Sequence, residues 1–156
     1  MSSKSKNTTL KKRNASMTTD LRKQADALNW FHEIDLGGGV LTRSAGNLDT
    51  QKACTDIYFG NDFVRGKSVL DIGCWDGFNS FEAHRYGASR VLATDHFAWS
   101  EKCWGQREAF DLAREKVAPA VEVMDIDLPD IVPEKVGQFD VVLLLGVFYH
   151  LKHPFL

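Results

Sequence analysis

Residues 69–77 read Val-Leu-Asp-Ile-Gly-Cys-Trp-Asp-Gly, an apolar run that ends in carboxylates and two glycines. Glycine lets backbone approach a ligand closely, and a carboxylate accepts hydroxyl or amino donors. A strand that stops at such a loop and then enters a helix opens a nucleotide-sized crevice at the carboxyl edge of a sheet. Asp95, Asp125 and Asp140 recur in or at the ends of three further apolar runs. Asp71, Gly73, Gly77 and these later acids are therefore the residues whose types could hold an adenosine-bearing cofactor.

The elements that must position them follow from hydrophobic patterning. Strands are expected at 68–72, 90–94, 121–126 and 139–145, with helices at 77–85 and from about 100 to 116. Near-continuous apolar strands separated by helices mean a parallel sheet covered on both faces. Right-handed crossovers give a Rossmann-like, doubly wound α/β fold with strand order 3-2-1-4. Upstream, Leu21, Ala25 and Leu28 fall at helical spacing, and Thr18 or Thr19 is available as a cap. His32, Ile34 and Leu36 alternate before Gly37-Gly38-Gly39, which predicts a hairpin with Val40 and Leu41. A further helix is expected from Asp49 or Thr50 through Ile57. Segment 20–66 thus reads as a cap before a cofactor-binding domain at 67–156.

Composition bounds the rest. The chain has 156 residues and a net charge of −2, the size of one domain. No apolar stretch is long enough to span a bilayer, and the N-terminus lacks the hydrophobic segment of a secretory signal. Cys54, Cys74 and Cys103 are scattered, so neither a disulfide framework nor a zinc site is expected, and a cytoplasmic location is. Residues 1–19 carry Lys4, Lys6, Lys11, Lys12 and Arg13 without an acid. Such a polar tail is expected to be disordered, with RNA contact or a transit peptide as the alternatives.

The loop chemistry separates two nucleotide ligands. A dinucleotide site needs G-x-G-x-x-G with its pyrophosphate on the helix N-terminus. Counted from Gly73, the later glycine positions are Trp75 and Phe78, and Asp76 adds negative charge at the helix entrance. A ligand without phosphate and with positive groups fits better, as S-adenosylmethionine does with its sulfonium and ammonium. An NAD-dependent oxidoreductase is the disfavoured alternative.

Val69 to Gly77 resembles the first motif of the class I S-adenosylmethionine-dependent methyltransferases, whose loop reads acid-x-Gly-x-x-x-Gly. The resemblance covers Lys67 to about Pro154, with a weak upstream extension through Trp30-Phe31-His32 and Leu41-Thr42. It implies that Asp71 and the Gly73–Gly77 loop embrace the methionine moiety and that Asp95 takes the ribose hydroxyls. It further implies that Asp125 accepts from the adenine amino group, with the Ile126 amide against the ring. Leu145 and Gly146 would lie beside the transferable methyl. Trp75 would shield the methionine arm or pack on the first helix, and Trp99 and Trp104 would wall the adenine or belong to the core. Cys103 and Phe110 are expected in the core. Asp127 competes with Asp125, and Asp140, which begins its strand, is expected to be structural.

Gly146-Val147-Phe148-Tyr149-His150 is similar to the Gly-Val-Leu-Tyr-His segment of the tRNA wobble-uridine carboxymethyltransferases. Those enzymes use a carboxylated cofactor, for which Lys52 is the comparable base here, although the surrounding Trp-Lys-Trp pattern is absent. Methyl transfer needs alignment more than acid–base chemistry. His150 is the candidate base for a hydroxyl acceptor, with Tyr149 orienting it; the alternative is that both pack the turn after the strand. His150 and His153 lack a third metal ligand. The acceptor is expected to be a tRNA base or a small molecule. The family's sheet has seven strands and this chain supplies four, so a truncated copy or a non-catalytic remnant is also expected.

Overall fold

The computed structural model describes residues 3–44, 46–100 and 107–153. Its elements run α1 (Ser3–Asp26), α2 (Leu48–Phe59), β1 (Ser68–Ile72), α3 (Phe78–Arg85), β2 (Arg90–Asp95), α4 (Arg107–Val117), β3 (Glu122–Asp125), α5 (Pro133–Val136) and β4 (Val141–Leu143). Short 3-10 turns lie at Leu128–Asp130 and Phe148–His150. The four strands are parallel in the order β3-β2-β1-β4, as the alternation of apolar runs and helices predicts. Cys103 and Trp104 lie outside the described residues.

Register sorts the strand side chains onto two faces. Val69, Val91, Ala93, Val121, Val141 and Leu143 enter one large core with Phe81, Ala83, Ala109, Phe110 and Ala113 from α3 and α4. Phe110 is fully buried there, as expected. On the other face, Leu70, Leu92 and Val136 form a smaller cluster with the half-buried Ile72, Met124, Ile126, Ile131 and Phe139. Val142, beside Leu70, is 55% exposed. The helix-rich face therefore contributes most of the apolar burial that stabilises the sheet.

Two expectations about the N-terminal third change. Within the segment expected to be a disordered tail, α1 begins at Ser3. Between Ser3 and Asp26 there is neither glycine nor proline, and Lys, Arg, Ala, Met and Leu are strong helix formers. Its C-terminal end reaches the core through Leu21 and Ala25. The expected hairpin shrinks to a single antiparallel bridge, Asp35 to Leu41, around the triple-glycine turn. Its short arms still bury Ile34, Leu36 and Val40 in the same core as the sheet. The 20–66 segment thus shares one core with the strands. α2 starts where expected, with the Asn47 side chain accepting from the Thr50 N–H at 3.1 Å.

Candidate cofactor site at the carboxyl edge

Asp71 sits near the end of β1 and is 2% exposed. Its Oδ2 accepts from Ser80 Oγ of α3 at 2.6 Å, and its other oxygen has no hydrogen-bond donor among the described residues. Burial pushes this carboxyl up to about 6, and the neighbouring Asp95 and Asp76 add to the rise against the pull of Ser80. A buried acid held this far from its usual range makes Asp71 a candidate functional residue.

The loop after β1 is tightly specified. Gly73, at φ +75°, presents its missing Cβ to Val147, whose methyl lies 2.3 Å from where that carbon would stand. The turn after β4 therefore packs directly on the glycine loop and bounds the crevice. Gly77, at φ +87°, forms the N-cap of α3, with Phe81 at 2.4 Å and Phe110 at 2.7 Å from its absent Cβ. Between them Trp75 takes φ +50°, a left-handed conformation rare for a bulky side chain. Its N–H donates to Asp95 Oδ2 at 2.9 Å, its carbonyl accepts from Trp99 Nε1 at 2.8 Å, and its ring stacks on Phe31 at 4.3 Å. Trp99 is buried and packs on Phe110, so it is core and a loop support together.

Asp76 has a different role from the one its position suggested. Its side chain is fully buried and turned toward the N-terminal segment, away from any ligand space. It accepts from the Phe31 N–H at 2.9 Å and the His32 N–H at 2.6 Å, and its Oδ1 meets His32 Nδ1 at 2.6 Å. The backbone turn at Trp75 aims it there, and three partners from the N-terminal segment occupy most of its acceptor sites. The placement of Asp76 among the cofactor ligands is corrected on this geometry.

Asp95, at the end of β2, accepts from the N–H groups of Trp75, His96 and Ala98. A carboxylate has about four acceptor sites, which leaves room for one more donor. Asp125 pairs directly with Asp95 in the sheet, but its side chain is at the rim, 2.8 Å from His96 Nδ1 and 3.9 Å from Arg107. Asp125 holds His96 above the usual histidine range. The expected use of the Ile126 amide against adenine is also corrected: it donates to the Asp95 carbonyl at 3.1 Å, continuing the ladder one residue past β3. The Asp127 side chain caps the following turn through the Leu128 N–H.

After β4, Gly146 turns at φ +80°, and the Tyr149 hydroxyl oxygen lies 3.6 Å from the position of its missing Cβ. Tyr149 and His150 are exposed, with rings 4.4 Å apart. Asp140 is structural, accepting from the Ser68 N–H and hydroxyl at the opposite edge. Lys52 lines a separate cavity of about 320 Å³ with Asp35, Glu82, His84 and Arg85, and that cavity includes none of the crevice acids. No metal-binding cluster exists among the described residues, and no described helix is long and apolar enough to cross a membrane.

The structure thus gathers Asp71, Gly73, Trp75, Gly77 and Asp95 into one loop-lined edge, with Asp125 at its rim. Sequence reading missed Ser80 and His32, whose partners lie nine and 44 residues away in the chain. The spacing of Trp30-Phe31-His32 from the glycine loop was the available signal for the second.

This sheet order and its loop-lined carboxyl edge define a Rossmann-like fold. The N-terminal domain of EvdMO1, solved in the presence of SAH and D-fucose, matches 87% of this chain and 56% of its own at a TM-score of 0.65 and 18% identity. In sequence, the tRNA U34 carboxymethyltransferase of Pseudomonas aeruginosa (strain LESB58) is 33% identical over 92 residues, 58% of this chain and 26% of the relative. The enzyme of the same name from Cellvibrio japonicus is 31% identical over 91 residues, 58% of this chain and 27% of the relative. The chain therefore spans about a quarter of the length of the curated relatives it matches. No family model matches it. Fold and sequence likeness together support the class I S-adenosylmethionine-dependent methyltransferase superfamily as its lineage.

Proposed function

We propose that the carboxyl edge binds S-adenosylmethionine and directs transfer of its activated methyl group to a nucleophile. The observation that carries this reading is the buried Asp71 carboxylate beside the glycine loop, with one oxygen lacking a donor. An ammonium is the ligand group that satisfies it best, and a phosphate is the group it repels most. The site residues fit a sulfonium nucleoside: Asp71 and the Gly73–Gly77 backbone take the methionine end, and the remaining acceptor of Asp95 takes a ribose hydroxyl. Asp125 at the rim, with His96, faces the adenine side. The Asp127 N–H, which has no acceptor among the described residues, replaces Ile126 as the amide for the ring.

When bound, the cofactor supplies an electrophilic methyl on sulfur. The protein's task is then to hold an acceptor in line with the breaking carbon–sulfur bond. Gly146 and Tyr149 would line the approach from the β4 side, and His150 is the candidate base for the proton that the nucleophile loses. The names of the sequence relatives make a tRNA wobble uridine the first acceptor to test. Carboxymethyl transfer is a weaker reading, because Lys52 lines a different cavity.

Calorimetric titration tests this directly. Binding of S-adenosylhomocysteine without binding of NADH is expected, and Asp95→Ala is expected to weaken it at least roughly tenfold, as loss of a buried charged acceptor does. NADH binding alone would overturn the reading. With labelled methyl donor and tRNA, His150→Ala is expected to slow transfer while leaving cofactor affinity intact.

A further inference from the structure

The N-terminal segment touches the glycine loop at Trp75, whose backbone is strained, and at the adjacent Asp76. Trp75 is left-handed, and contacts of four kinds among the described residues hold it there. Two come from the sheet side, through Asp95 and Trp99. The third is the Phe31 ring, stacked within 16° of parallel on Trp75. The fourth acts through the adjacent residue, because Asp76 gathers the Phe31 and His32 amides and the His32 ring. His32 is itself seated on Phe78, the first residue of α3, at 5.1 Å. Trp30 fixes the other end of the segment by donating to the Ala25 carbonyl of α1 at 2.8 Å. A strained residue persists only where its surroundings over-determine it, and such residues concentrate at ligand sites.

We infer that Asp76, His32 and Phe31 are positioning residues, which clamp Trp75 so that the loop keeps the shape that receives the cofactor. This rests on the reading of the crevice as an S-adenosylmethionine site and adds to it the segment 30–32, which touches no acid of the crevice except through the clamp. Trp75 is bulky and cannot hold its conformation as glycine would, so the loop needs an external brace. The brace comes from residues 44 and 45 positions upstream. Cofactor affinity is therefore coupled to the order of the N-terminal segment. The clamp should act on binding rather than on the chemical step.

The test combines binding with a spectroscopic readout. S-adenosylhomocysteine affinity, near-ultraviolet circular dichroism and melting temperature are measured for the intact chain, Phe31→Ala, Asp76→Asn, Trp75→Gly and the Trp75→Gly/Asp76→Asn double variant. Phe31→Ala and Asp76→Asn are expected to weaken binding roughly tenfold, the usual size of coupling between sites. The Asp76→Asn loss should shrink to under about threefold when residue 75 is glycine, which holds φ > 0 unaided. Lower melting temperature with unchanged affinity would overturn the clamp while leaving the cofactor reading intact. If Asp76→Asn does not fold, Phe31→Ala decides, because Phe31 is 52% exposed and its truncation leaves no buried polar group. If the intact chain binds no S-adenosylhomocysteine, the cofactor reading fails by itself. The dichroism then judges the clamp: a shared loss of the tryptophan signal in Phe31→Ala and Asp76→Asn supports it, and an unchanged signal refutes it.

Discussion

The two ends of the sheet handle charge in opposite ways. At the amino-terminal end, Arg90 and Glu122 pair at 2.8 Å across neighbouring strands, and Arg90 also covers the Phe139 ring. Asp140 there accepts from two Ser68 donors. These groups are exposed and matched by partners of complementary charge or donors, so they serve the fold. At the carboxyl-terminal end, Asp71, Asp76 and Asp95 are each at most 6% exposed, and no Lys or Arg side chain bonds any of them among the described residues. Their donors are backbone amides, Ser80 and His32. Burying carboxylates without a Lys or Arg partner destabilises a fold unless other donors or a ligand compensate. On the proposed reading, the contrast separates charge that holds strands together from charge that Asp71 and Asp95 keep available for a cationic ligand.

The largest break in this contrast should come from the loop that carries the buried acids. Gly77→Ala adds a Cβ 2.4 Å from Phe81 and 2.7 Å from Phe110 at φ +87°. Overpacking plus backbone strain is expected to cost about 3 kcal/mol. Urea unfolding measures it, and a loss below about 1 kcal/mol would show that the loop relaxes easily.

Asp71→Asn sharpens the comparison, because stability and binding should move in opposite directions. With its folded carboxyl pushed up to about 6 by burial, Asp71 binds a proton in the native state where the unfolded chain has lost it. The native state is therefore favoured below about pH 4, and that advantage is lost as pH rises to about 6. The penalty at neutral pH is on the order of 3 kcal/mol. In Asp71→Asn the downward slope between about pH 4 and 6 should vanish and stability at pH 7 should rise. S-adenosylhomocysteine affinity should nevertheless fall. A variant that is less stable and binds equally would contradict both halves of the comparison.

The smallest effect belongs to the amino-terminal end. Glu122→Ala removes an exposed pair worth between about 0 and 1 kcal/mol, and it should leave ligand affinity unchanged. A measurable change in binding would erase the distinction between the two ends.

Much of this was legible in the chain. β1 matches its expected bounds and β2 extends one residue further, because a buried parallel strand writes itself as an uninterrupted apolar run closed by an acid or glycine. Asp71 and Asp95 were readable for the same reason. The direction of Asp76 was not, since its partners Phe31 and His32 meet it only through tertiary contact. Nor does tryptophan signal a left-handed residue; that conformation is imposed by Asp95, Trp99 and Phe31 together. The helix at Ser3 was missed because a polar segment without amphipathic period carries only propensity. The Ile126 amide depends on how far one ladder continues, a matter of a single residue.

The central claim is that unneutralised acids at the carboxyl edge hold a cationic nucleoside. It is tested most directly by comparing S-adenosylhomocysteine with 5′-methylthioadenosine, which keeps the nucleoside but lacks the ammonium. The account predicts that the intact chain binds the former at least roughly tenfold more tightly, the size expected of a charge-assisted hydrogen bond to a buried carboxylate. Equal affinities, or no binding of either, would contradict it.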